Sequence, residues 1–212
     1  PLAVLAWLWM RAVGTLPLEQ FPPHLWHGHE MIFGFVAAAI AGFLLTAVPS
    51  WTGARGFAGA PLIILTMLWL AGRLAFAIGA LIPLPLLVAA ELAFFPALVF
   101  LLAPPLLRER NRNTPLLIVL AAFWAADATF LHALAHAEAT LATTTLRGAV
   151  NLVLLLVTII GGRIVPAFTA SALRRRGIEP RVRTRRWLEI VVITAMALAI
   201  VVDLFAPYHE LA

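Results

Sequence analysis

The sequence predicts an all-α, polytopic transmembrane helix bundle of about seven spans. Composition is the first reason: 63% of the 212 residues are hydrophobic, 12% are charged, and the mean hydropathy is +0.98. A soluble domain runs at about 45–50% apolar and ~25% charged. The second reason is that the apolar residues come in runs of about 20, the length that crosses a bilayer core of ~30 Å. The third is that no run alternates with period two, as a barrel strand would. Such a chain buries its polar groups between helices, with the lipid bilayer as its first partner.

The first run, 2–16, is short, and the chain opens on Pro1 already inside it. The whole therefore reads as a single transmembrane domain, 1–212, that is a piece of a longer multi-span protein. The second span runs from His27 to Val48 and stops at Pro49-Ser50-Trp51-Thr52-Gly53. The third starts at Pro61, a first-turn position that proline favours, and ends near Ile82. Pro83-Leu84-Pro85 makes a minimal hairpin into a fourth span ending at Leu107. The polar loop Arg108–Asn113 leads to a fifth span from Pro115 to His136, a sixth over 146–168 and a seventh over 187–205.

Charge sets the orientation. Arg55, then Arg108, Arg110 and Arg112, then the arginine-rich stretch from Arg174 to Arg186 fall in alternate loops, so those loops are expected on the cytoplasmic side. The net charge of +5 is thus an orientation signal, and no nucleic acid is expected as a partner. The sequence contains no lysine, which excludes Schiff-base chemistry and a phosphate-loop lysine. It contains no cysteine, which excludes thiolate ligands and covalently attached haem.

With that topology, all six histidines lie at the outer ends of spans: His24, His27 and His29, then His132 and His136, then His209. The densest stretch is His24-Leu25-Trp26-His27-Gly28-His29-Glu30-Met31, every polar member of which can ligate a metal. On a regular helix His24, His27, Glu30 and Met31 share a face, and His29 points away beside Ile32 and Phe33. The two histidines of the motif then serve two different neighbours, unless the segment at Pro22-Pro23 is not yet helical. His132 and His136, four apart, have a bidentate metal spacing. For both groups the bland reading is an interfacial histidine satisfied by headgroups or loop carbonyls.

Within the spans, Arg73, Glu91, Asp127, Arg147, Asn151, Arg163 and Asp203 are costly in lipid and should face the bundle. Arg73 and Glu91 have matched depths across the hairpin and are expected to pair. Arg147, Asn151 and Thr158 form a stripe that suits a cofactor carboxylate or another helix. Gly34-Ala38-Gly42 and Ala71-Ala75-Gly79 read as close-packing stripes.

Three stretches carry a family resemblance: His27-Gly28-His29-Glu30-Met31-Ile32-Phe33-Gly34-Phe35, the run from Ala41 to Gly53, and Gly161-Gly162-Arg163-Ile164-Val165-Pro166-Ala167-Phe168-Thr169. Together they resemble the NnrS family of bacterial inner-membrane proteins, whose members are longer, so the chain corresponds to roughly their N-terminal part. The resemblance implies haem and copper as cofactors and a role in the response to nitric oxide. It leaves a catalytic role and a homo-oligomer open. Under it, His29, His132, His136 and Arg147 are candidates for haem, non-covalently bound. His24, His27, Glu30 and Met31 are candidates for copper, because histidine with methionine suits Cu(I). The competing reading is an ion- or proton-coupled transporter with gating histidines and Arg73, Glu91 and Asp127 along a path.

Overall fold

A computed structural model describes residues 22–108, 113–179 and 186–205. Among these residues the protein is all helical, with no strand. Five segments are long and apolar enough to cross a membrane: Pro23–Thr52, Ala60–Ala77, Leu84–Arg108, Leu116–Ala135 and Ala139–Arg175. That is fewer than the seven expected. The first expected span lies outside the described residues. The seventh appears as a helix over Arg186–Phe205, but its apolar stretch, Ile190–Asp203, is shorter than a crossing needs. The described chain divides into two compact units between Ala149 and Val150.

In the first unit, α1 (Pro23–His29) begins on Pro23 in the first turn, so the helix is already formed when it reaches His24. The next seven residues, Glu30–Val36, are a π-helical segment, after which α2 (Ala37–Thr52) continues in α geometry. Gly53 ends it in the left-handed conformation (φ 66°), which a side chain resists. α3 (Ala60–Ala77) is followed by a single tight turn, Gly79–Leu81, and by Pro83, which opens α4 (Leu84–Leu92).

The break between α4 and α5 (Phe94–Arg108) has a covalent cause. Pro96 lacks the N–H that would bond to the carbonyl of Leu92. The indole N–H of Trp124 on α6 (Leu116–Ala135) donates to that carbonyl instead, at 3.1 Å. The core of the unit is apolar and aromatic, with Phe33, Phe76, Phe95, Phe123 and Phe130 fully buried, while residues such as Ile63, Leu74, Phe100 and Ile118 point outward as lipid-facing side chains do.

α7 (Ala139–Arg175) runs on for 37 residues, and the division between the units falls inside it. In the second unit, α8 (Arg186–Phe205) meets it through Asn151 Nδ2, which donates to Asp203 Oδ2 at 2.8 Å. Asn151 therefore serves helix packing, one of the two uses open to its stripe.

Candidate functional site

The first unit holds a buried cluster of titratable side chains. His29 is completely buried, and its Nε2 lies 3.0 Å from Asp127 Oδ1 on α6. Its other ring nitrogen, Nδ1, is 3.8 Å from Glu30 Oε1. Arg73 on α3 donates from one guanidinium nitrogen to Glu30 and from the other to Glu91 on α4. The expected Arg73–Glu91 pair is thus present, and Glu30 makes it a triad. Glu30, read from spacing as part of the His24–His27–Met31 face, is engaged by Arg73.

The reason lies in the backbone. The π segment begins at Glu30, so the 100° step per residue that the face argument assumes does not hold from there on. His29 and Glu30, adjacent in sequence, both contribute to one cluster. Two glycines make room for it. A Cβ on Gly34 would sit 2.9 Å from Arg73 Nη1, and one on Gly72 would sit 3.3 Å from Glu91 Oε2. The indole N–H of Trp69 donates to the carbonyl of Gly34 at 2.9 Å, fastening the π segment to α3.

The His29 ring is enclosed by aromatic rings. Phe76 stacks on it at 4.0 Å between centroids, Phe130 lies at 4.8 Å and Phe33 at 5.1 Å. The cavity beside the cluster, lined by Arg73, Glu91 and Asp127 among others, is ≈ 10 Å³, about what one water needs. This packing leaves no volume for a haem on His29. Two larger cavities among the described residues, of ≈ 210 and ≈ 390 Å³, have no histidine in their walls.

The remaining candidates are less buried than His29 and Glu30. His24, His132 and His136 are exposed, and His27, Met31 and Arg147 are half-buried. The rings of His132 and His136 lie side by side, 4.2 Å between centroids. His136 Nδ1 is 2.9 Å from the carbonyl of His132, and because a carbonyl only accepts, the nitrogen donates. A neutral His136 therefore presents the lone pair of Nε2, the form in which imidazole ligates a metal. His209 and the arginines from Arg181 to Arg185 lie outside the described residues, as does the side chain of Arg163.

The contacts of α1 with α6 and α7 bring the two histidine groups to one end of the unit. His29 touches Asp127 and Phe130, and Gly28 faces the side chain of Leu146, next to Arg147. Sequence reasoning missed the His29–Asp127 bond. A signal existed: Asp127 lies as far inside its span from His132 as His29 lies inside its own from His24.

A family model described as NnrS protein matches residues 1–212. Neither the curated proteins nor the solved structures give a match.

Proposed function

The chain belongs to the NnrS family, and from that premise we propose that it is a haem- and copper-binding protein of the bacterial inner membrane that acts in nitric oxide handling. The observation that carries this reading is the gathering of two histidine groups at one end of a membrane-type bundle, through the contacts of His29 with Asp127 and Phe130. The arginine bias of the loops puts that end on the periplasmic side. Haem belongs to the exposed pair His132 and His136, with Arg147 on α7 as the cation that would neutralise a propionate. Copper belongs to His24, His27 and Met31, a nitrogen and thioether set. When bound, these metals supply a redox-active centre for a small diatomic ligand. The chain's own part is to hold the ligands at one membrane face and to keep His136 in the ligating tautomer.

The test is the Soret absorbance and copper content of the purified protein and its variants. The wild type should show both, His132→Ala/His136→Ala should lose the Soret band, and His27→Ala should lose copper. A wild type without a Soret band or copper, or variants that retain both, would sink the reading. One observation favours the transporter alternative, namely that Arg73, Glu91 and Asp127 do gather around His29. Ion or proton flux in liposomes that vanishes in Asp127→Asn would decide for it.

A further inference from the structure

The haem and copper reading makes no use of the buried cluster. Glu30, Glu91 and Asp127 set three carboxylates against the one guanidinium of Arg73, so with all three ionised and His29 neutral two negative charges are in excess, which protons or a cation must offset. Uncompensated charge is expensive inside a membrane bundle. Two atoms are also left over. Glu91 Oε1 and His29 Nδ1 have no hydrogen-bond partner, although Glu91 is 3% and His29 0% exposed. Glu91 and Asp127 line the ≈ 10 Å³ cavity, which is the size of one water or one ion.

We infer that His29, Glu91 and Asp127 form a binding site for one divalent cation of the borderline-to-hard class, represented by Zn²⁺ or Mn²⁺. One ligand atom from each residue lies within 4.8 Å of the other two. Nitrogen and oxygen ligands sit at about 2.0–2.2 Å from such an ion, so in a tetrahedral arrangement they stand about 3.5 Å apart, and the widest pair closes by up to about 1.3 Å to complete the site. The set has one imidazole, two carboxylates and no sulfur, which suits Zn²⁺ or Mn²⁺ and does not suit Cu(I). A dication cancels the two excess charges. It takes the Nε2 lone pair, so the one proton of the neutral ring moves from Nε2 to Nδ1. Nδ1–H then faces Glu30, the outer carboxylate that orients a metal-bound histidine, and Arg73 fixes Glu30 in turn.

The site is independent of haem and copper, and its test reads different metals. The background is the His132→Ala/His136→Ala protein, which removes the exposed chelating pair. After stripping with a chelator, uptake of Zn²⁺ and of Mn²⁺ is measured by equilibrium dialysis with metal analysis, and the thermal midpoint is followed in parallel. One ion per chain and a raised midpoint are expected. Glu91→Gln and Asp127→Asn should abolish that uptake, and Glu30→Gln should weaken it by about 10–100-fold. If the two ligand variants do not fold, Glu30→Gln carries the comparison. No uptake in the background protein means that protons neutralise the cluster, and the inference falls. Uptake unchanged in folded Glu91→Gln and Asp127→Asn overturns it equally.

Discussion

Gly34 is glycine because of a neighbouring helix. A Cβ there would lie 2.9 Å from Arg73 Nη1 and 3.2 Å from its Cδ. Arg73 cannot swing aside, since both ends of its guanidinium are held by carboxylates. Gly34→Ala should therefore cost about 1–3 kcal/mol by overpacking. Gly42, two turns on, has nothing within 4 Å of its Cβ position. Gly42→Ala should be neutral, or stabilising by up to about 1 kcal/mol through helix propensity. Thermal unfolding of the two variants in detergent checks the contrast, and equal effects would contradict it. The sequence reads both glycines as one close-packing stripe, because spacing reports a shared face and says nothing of what stands opposite. The same limit explains the pairs. Arg73–Glu91 is legible because a hairpin joins its helices at matched depth. His29–Asp127 joins helices far apart in the chain, and matched depth alone does not say which of them touch.

At the scale of the element, the spans were legible and their inner irregularities were not. Apolar runs, Pro83 and Gly53 mark where helices start and stop, and the helices lie there within a few residues, apart from α7, which extends past both expected ends. The π segment Glu30–Val36 leaves no trace in an apolar pattern, yet it sets which residues meet Arg73. A π turn holds more residues than an α turn, so removing one residue lets the segment relax to α geometry. Phe35 is the residue to delete, since it is 61% exposed and contributes least to the core. The relaxation absorbs the missing residue, so what precedes it stays nearly in phase with α2, and His29 and Glu30 keep Asp127 and Arg73. Phe35→Ala keeps the chain length and should stay within about 1 kcal/mol of the wild type, as surface changes do. A deletion variant less stable than Phe35→Ala by about 3–5 kcal/mol, the cost of breaking a buried ion pair, would show that the π geometry itself holds the cluster.

At the scale of the whole molecule, the arginine loops and the histidine ends make one claim about sidedness. The continuous run Pro23–Thr52 has 30 residues, or about 45 Å of helix, enough to separate its two ends by a bilayer. Ser50 lies at one end and His24 at the other, and the contacts of His29 with α6 put His136 on the side of His24. The bias of the short loops predicts Ser50 on the cytoplasmic side and His136 on the periplasmic side. Because the sequence lacks cysteine, Ser50→Cys and His136→Cys each introduce one unique thiol. Both positions are exposed, so accessibility to the reagent is decided by the membrane and not by packing. In intact cells an impermeant maleimide should label His136→Cys and leave Ser50→Cys unlabelled until the membrane is opened. The reverse pattern would turn the bundle over and place the histidine end in the cytoplasm. Labelling of both thiols from outside would mean that Pro23–Thr52 does not cross, and the span assignment itself would fail.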